Sequence, residues 1–97
     1  MAGDYSIGSD RWPGTSKVLE EMGELAQVLG KLIGNGGMTD HFDGSDLRQR
    51  LIEELADTAA AIDFFTSENL TTIEQVKISA RFQEKLQWFR QWQEKGQ

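Results

Sequence analysis

The chain contains no cysteine and a single histidine, and these two scarcities exclude several kinds of site. Without cysteine it has no disulfide framework, no thiolate zinc site and no cysteine nucleophile. With His41 as its only imidazole, one chain cannot supply a site that needs two. We expect His41, which lies between acidic residues of a glycine-rich loop, to be a solvated loop residue.

Positive charge is also scarce, because 16 Asp and Glu oppose 10 Lys and Arg and give a formal net charge of −6 over 97 residues. This acidity argues against nucleic acid or an anionic membrane as a partner, since proteins that bind them are normally basic. No apolar run approaches the roughly 20 residues of a membrane span, and the polar start MAGDYSIGSD does not resemble a signal peptide. We therefore expect a cytoplasmic protein.

Alternating strand patterns are missing as well, which predicts an all-α chain. Residues 1–14, which include the one proline, predict a mobile N-terminal arm, and residues 15–97 predict a single all-α domain. Helical patterns cover residues 15–33, about 46–66, and 71 to the last lysine. The glycines at 34, 36 and 37 end the first pattern, and Thr71 with Glu74 has capping-box spacing at the start of the third.

The first helical pattern carries an acidic residue where an apolar one belongs. At about 100° per residue its apolar side chains form one stripe, and Glu21 falls inside that stripe between Val28 and Leu32. Glu24 lies one turn further on, at the edge of the stripe. Glu20 lies on the opposite side, where charged residues belong.

The second helical pattern repeats this anomaly. Glu54 and Asp57 lie on one face, one turn apart, with Ala61 and Phe64 interleaved among them. Glu53 points about 100° away from Glu54, towards the solvent side. Each helix therefore has one outward glutamate, one inward glutamate, and another carboxylate one turn after the inward one.

Inward carboxylates in this arrangement need a partner of positive charge. Acids one turn apart repel each other, and each loses several kcal/mol of hydration, as an order of magnitude, when it faces a core. We predict that the four acids hold a hard divalent cation, Mg²⁺ or as a second candidate Mn²⁺, because such ions take oxygen ligands. The alternative is an ordinary helix hairpin with salt-bridged carboxylates at the margin of its core. The four predicted ligands are Glu21, Glu24, Glu54 and Asp57.

The acidic residues also match a known motif. The segment KVLEEMGEL at 17–25, followed by EELAD at 53–57, resembles the MazG family of all-α nucleoside triphosphate pyrophosphohydrolases, whose motif is E-E-x-x-E and then E-x-x-D. The resemblance covers about residues 12–90. It implies Mg²⁺-dependent hydrolysis of an NTP or dNTP to the monophosphate and pyrophosphate.

The resemblance also assigns roles to residues. Glu21, Glu24, Glu54 and Asp57 match the metal ligands of the family. Glu20 and Glu53 match its accompanying acids, which hold waters or help to activate the attacking water, and they are the candidate catalytic residues. Bound metal lowers the pKa of water and neutralises phosphate charge, so no protein nucleophile is needed.

Four further residues are candidates for substrate binding. Lys17 either screens the neighbouring acids or touches phosphate. Lys77 and Arg81 share a face of the third helix, where the family presents basic residues to the triphosphate. Trp12 is placed either to stack on a nucleobase or to act as a hydrophobic staple before the first helix.

The third helical pattern is apolar on two sides. One side carries Ile78, Phe82, Leu86 and Phe89, and Ile73, Val76 and Ala80 point roughly the opposite way. Such a helix needs two partners, and we expect these to be its own helix pair and a second subunit. The MazG family forms dimers or dimers of dimers, so the resemblance implies a homodimer or homotetramer that assembles into a multi-helix bundle.

Two alternative functions remain open. In the first alternative, the chain is a dUTPase-like or phosphoribosyl-ATP pyrophosphatase-type relative, and a panel of substrates would separate these enzymes. In the second, it is a catalytically inactive acidic helical interaction module. A ferritin-like di-iron site does not fit, because it needs Glu-x-x-His pairs and the chain has glutamate at 24 and aspartate at 57.

Overall fold

Three α-helices form the computed structural model, which describes residues 12–40, 44 and 46–96. They are α1 (Thr15–Gly34), α2 (Leu47–Asn69) and α3 (Thr72–Lys95). Within these ranges there is no strand, and a lone bridge joins Asp40 to Asp46. None of the three helices combines the length and apolarity needed to cross a membrane. The prediction of an all-α chain is confirmed.

The glycine cluster after α1 ends that helix as predicted. The amide of Gly36 donates to the carbonyl of Ile33 over 3.1 Å, and the amide of Gly37 donates to the carbonyl of Leu32 over 2.8 Å. Both glycines have positive φ, +64° and +84°, a backbone region that side chains with a Cβ rarely adopt. The local sequence therefore fixes this helix end.

The other helix ends are set by polar side chains. Asp46 caps α2 by accepting from the amides of Arg48 and Gln49. The predicted capping box of Thr71 and Glu74 is present at the start of α3, with both reciprocal hydrogen bonds made. Helix α2 continues to Asn69, past its predicted end near residue 66. The side-chain amide of Asn69 donates to the carbonyls of Phe65 and Pro13, each over 2.8 Å, and so holds the last turn in place.

Helices α1 and α2 pack together as an antiparallel hairpin. Near the open end the hydroxyl of Thr58 donates to the carbonyl of Glu21 over 3.2 Å, inside the helix interface. Nearer the loop, Val28 and Leu47 are fully buried, and Ala61 is buried between the helices on the other side of Thr58. The hairpin thus surrounds a small apolar core with one buried acidic residue, Glu21.

Residues 12–14 pack against the C-terminal end of α2. The ring of Trp12 stacks on that of Phe65 with centroids 6.1 Å apart, and Asn69 holds the Pro13 carbonyl. Gly14, which is buried with φ +89°, lies against Phe64. The remainder of the predicted arm, residues 1–11, lies outside the described residues, as does His41.

Helix α3 stands away from the hairpin, which corrects the expectation that it packs on its own helix pair. It has no buried residue, and α1 with α2 is the helix pair that packs extensively among the described residues. The extended backbone at Leu70 and Thr71 separates α3 from α2. As a result the radius of gyration is 16.6 Å, well above the roughly 13 Å of a compact chain of this length.

Two glycine substitutions should move stability in opposite directions. A Cβ at Gly30 meets no described atom within 4 Å, so Gly30→Ala should stabilise α1 by up to about 1 kcal/mol through helix propensity. A Cβ at Gly14 would lie 2.9 Å from the Phe64 ring at a positive φ, so Gly14→Ala should destabilise the chain by at least about 1 kcal/mol. Urea denaturation followed by circular dichroism measures both, and an unchanged midpoint for Gly14→Ala would contradict the described packing.

Candidate metal centre

Three of the four predicted ligands converge between α1 and α2. One carboxylate oxygen from each of Glu21, Glu54 and Asp57 lies within 4.8 Å of the other two. Glu54 and Asp57 share a face of α2 because they are one turn apart, and the antiparallel packing sets Glu21 of α1 opposite them. The three side chains form an all-oxygen group, which we call the carboxylate cluster.

The cluster contains buried oxygen atoms without a hydrogen-bond partner. Glu21 retains only 9% of its exposure, and among the described atoms its Oε2 has no donor. Glu54 is half-buried and its Oε2 is likewise buried and without a donor, whereas Asp57 is exposed. Buried polar atoms are nearly always satisfied, so two buried carboxylate oxygens without donors in one cluster call for a proton or a cation.

Burial and mutual repulsion both disfavour the charged forms of these acids. Burial is the main cause that raises the pKa of Glu21 above its usual value, and the negative charges of Glu24 and Asp57 add to it. Lys17 opposes this shift in part. Burial also raises the pKa of Glu54, followed by the charge of Glu24 and a side-chain hydrogen bond with it. A divalent cation would relieve desolvation and repulsion together, so the donor set fits Mg²⁺.

Glu24 lies beside the cluster rather than within it. It is half-buried on the turn of α1 that follows Glu21, and it interacts with Glu54 directly through charge and a side-chain hydrogen bond. The structure thus brings Glu21, Glu54 and Asp57 into one group and leaves the fourth predicted ligand in contact with one member of it.

The two candidate catalytic acids occupy the outer surfaces of the helices. Glu20 is exposed and accepts from the Lys17 ammonium over 3.3 Å. Glu53 is exposed and accepts from the side-chain amide of Gln49 over 3.0 Å. Each acid adjoins a cluster residue in sequence, but its present hydrogen bond is to a neighbour on its own helix.

A groove of about 380 Å³ runs from the cluster along α2. Glu21 and Asp57 form its acidic end, and Lys17 lies along it with its ammonium 3.7 Å from Glu21 Oε1. The lining continues along α2 with Ala60, Ala61 and Phe64. The groove therefore has an acidic end and an apolar end, and the positively charged side chain of Lys17 lies beside both.

Sequence reasoning did not assign the apolar end of the groove to a site. The signal was present, since Ala61 and Phe64 share the helical face of Asp57 and interrupt the acidic residues. That pattern is equally typical of a helix face buried in a core. The structure distinguishes a binding groove from a buried face because half of the surface of Phe64 remains accessible.

The other three candidate substrate residues do not line this groove. Trp12 stacks on Phe65 of α2, whereas a hydrophobic staple would pack it on a residue in the first turns of α1. Arg81 pairs with Glu84 and lies 4.8 Å from the centroid of the Trp88 ring, within α3. Lys77 is exposed on the same helix, which stands apart from the hairpin. A single chain therefore brings Lys17 alone of these four candidates to the carboxylate cluster.

Comparison with known proteins gives no match. No family model matches the chain, and neither a curated protein nor a solved structure matches it significantly. The functional argument therefore depends on the residues of this chain and their geometry.

The metal-free protein should become more stable as the pH falls from 7 towards about 5. Because folding raises the pKa of Glu21 and Glu54 above 4.5, the folded chain binds more protons than the unfolded chain in this window, and stability is lost as the pH rises. Glu21→Gln should raise the thermal midpoint at pH 7 and flatten the pH dependence.

Thermal unfolding in buffers with a chelator measures this effect. Glu68→Gln, at an exposed position of the same hairpin, is the matched control and should retain the pH dependence of the unsubstituted chain. If Glu21→Gln and the unsubstituted chain respond equally to pH, the burial of an unpartnered carboxylate at this position is wrong.

Proposed function

We propose that the chain is a Mg²⁺-dependent nucleoside triphosphate pyrophosphohydrolase, which converts an NTP or dNTP and water to the monophosphate and pyrophosphate in the cytoplasm. One observation carries the proposal: Glu21 and Glu54, each with a buried carboxylate oxygen that has no donor among the described atoms, converge with an exposed Asp57 so that one oxygen of each residue lies within 4.8 Å of the other two. The MazG-like motif in the sequence supports the same reaction.

The carboxylate cluster would hold the cation. Glu21 and Glu54 offer oxygens from the buried side, Asp57 offers one from the exposed side, and Glu24 adjoins Glu54 to complete the acidic set. When bound, Mg²⁺ neutralises phosphate charge and lowers the pKa of water. Because Asp57 is exposed and lines the groove, a cation held by the cluster would be accessible to a phosphate from that side.

Other side chains near the cluster handle charge and protons. Lys17 lies along the groove, where its ammonium attracts and orients the phosphates that approach the cluster. Glu20 and Glu53 take the accompanying role: their carboxylates accept hydrogen bonds from the surrounding water and take up its proton. Glu53 adjoins Glu54 and Glu20 adjoins Glu21 in sequence, and in this role each acid would exchange its present partner, Gln49 or Lys17, for water.

We also propose that the chain works as a homodimer or homotetramer, built through α3 into a multi-helix bundle. Val28 and Leu47 are the fully buried apolar residues of the described structure, whereas Phe82, Phe89 and Trp92 on one side of α3 expose more than half of their surface. An exposed apolar face of this kind marks an interaction surface.

Charge favours a second copy as the partner of α3. Basic residues outnumber acidic ones in α3, and acidic residues outnumber basic ones in α1 and α2. In such an assembly Lys77 and Arg81 approach the acidic hairpin of the neighbouring copy, where they would contact the phosphates. No nucleic-acid or membrane partner enters this proposal.

Incubation with a panel of NTPs and dNTPs that includes dUTP, and with phosphoribosyl-ATP, in the presence of Mg²⁺ or of chelator, tests the activity. We expect monophosphate and pyrophosphate in the presence of Mg²⁺, and we expect Glu54→Gln to lower kcat/KM by more than the roughly 10- to 100-fold typical of an outer-shell partner. Glu68→Gln, the same substitution at an exposed position of α2, should keep the activity of the unsubstituted chain.

The products decide between the alternatives. Cleavage restricted to dUTP indicates a dUTPase-like enzyme, and cleavage restricted to phosphoribosyl-ATP indicates that pyrophosphatase. No Mg²⁺-dependent release of pyrophosphate from any substrate would favour an inactive acidic interaction module. Orthophosphate as the direct product would overturn the assigned reaction.

The assembly makes a separate prediction. Phe82→Glu places a charge in the centre of the exposed apolar stripe of α3, so it should convert the oligomer to a monomer of 10.9 kDa. Gln83→Glu, at the neighbouring exposed position, is the matched control and should remain oligomeric. Sedimentation velocity distinguishes the species, and a monomeric unsubstituted chain at micromolar concentration would contradict the assembly.

A further inference from the structure

We propose that the apolar end of the groove holds the nucleobase of the substrate, stacked on Phe64, and that Ala60 provides the space it enters. The inference rests on the proposed function, which supplies the triphosphate at the carboxylate cluster. It adds where and how the chain recognises the nucleobase, the part of the substrate that does not react.

The groove has the polarity of a nucleotide from end to end. Asp57, Ala60, Ala61 and Phe64 lie on one face of α2, and Phe64 follows Asp57 by seven positions, which is two turns or about 10 Å. Phosphates held at the acidic end through a cation leave the sugar to cross the alanines. The base then reaches the aromatic ring, and a flat ring against an aromatic face is a favourable contact for every base.

The ring of Phe64 is supported from behind by a backbone that only glycine allows. An ideal Cβ at Gly14 would stand 2.9 Å from Cδ2 of Phe64, closer than real Cβ contacts come. Gly14 is held there because Asn69 binds the Pro13 carbonyl and Trp12 stacks on Phe65. Phe64 also lines the groove, and half of its surface remains exposed. A ring that is supported on one side and exposed at the groove is preorganised for stacking.

The apolar end recognises a ring without reading its edge. Ala60, Ala61 and Phe64 have no hydrogen-bonding side-chain atom, and Lys17 is engaged with Glu20 and Glu21. A pocket of apolar side chains discriminates weakly between rings of similar shape, whereas one that hydrogen-bonds a substrate group discriminates strongly. Affinity should therefore follow the stacking area of the base, so that purine nucleotides bind more tightly than pyrimidine nucleotides.

Filling the groove tests this assignment by isothermal titration calorimetry. Three probes are used: Mg²⁺ alone, Mg²⁺ with inorganic tripolyphosphate, and Mg²⁺ with a nucleoside triphosphate analogue that has a methylene bridge between the α and β phosphates. Ala60→Leu closes the groove, and Ala59→Leu, the same change on the opposite face of α2, is its matched control. Phe64→Ala removes the stacking surface.

We expect Ala60→Leu and Phe64→Ala each to lower the affinity for the nucleotide analogue by roughly 5- to 150-fold, the range for loss of one stacked base. Binding of Mg²⁺ and tripolyphosphate should stay unchanged, which also shows that the variants are folded. Ala59→Leu should bind all three probes like the unsubstituted chain.

Two results would overturn the inference and leave the proposed function standing. In one, both groove variants bind the nucleotide analogue normally, so the base lies elsewhere. In the other, the groove variants lower the affinity for tripolyphosphate as much as the affinity for the nucleotide analogue, so the groove holds phosphate and not the nucleobase. Failure of the unsubstituted chain to bind Mg²⁺ or tripolyphosphate would instead remove the proposed function, and this inference with it.

Discussion

The structure depends on how the negative charge between α1 and α2 is neutralised. Glu21 is buried in a helix interface that contains few fully buried apolar residues. The carboxylates that act on it most strongly, those of Glu24 and Asp57, belong to the same interface. Such a core is too small to offset several repelling carboxylates. A bound cation would therefore hold the two helices together as well as serve the chemistry, and the protein's stability and its function would share one ion.

The sequence predicted the elements that local patterns control. Periodicity identified Glu21 and Glu54 as inward acids, and the glycines after residue 33 and the Thr71–Glu74 pair located helix ends. It could not place α3, because a helical wheel shows which sides are apolar but not which surface covers them. The contacts of Gly14 and Asn69 were also beyond it, since these join residues far apart in the chain.

The candidate site was predictable to a similar depth. The motif gave the residue types, and helix geometry gave their common face, yet the separation of Glu24 from the other three depends on side-chain rotamers. The exposure of Asp57 and Phe64 depends in turn on how closely the helices approach at each turn. The spacing of residues in a sequence specifies on which side of a helix each residue lies, but it carries no information on the distance between two packed helices.

The loop that joins α1 to α2 closes the hairpin at the end remote from Phe64. Its first glycines follow Gly34 and its last described residue is the cap Asp46, beside the buried Leu47. Insertions or deletions in this loop therefore act chiefly through the entropy of closing the hairpin, which changes slowly with loop length. The chain can vary there during evolution while the middle of the hairpin, where the cluster lies, and the groove that runs from it to Phe64 keep their shape.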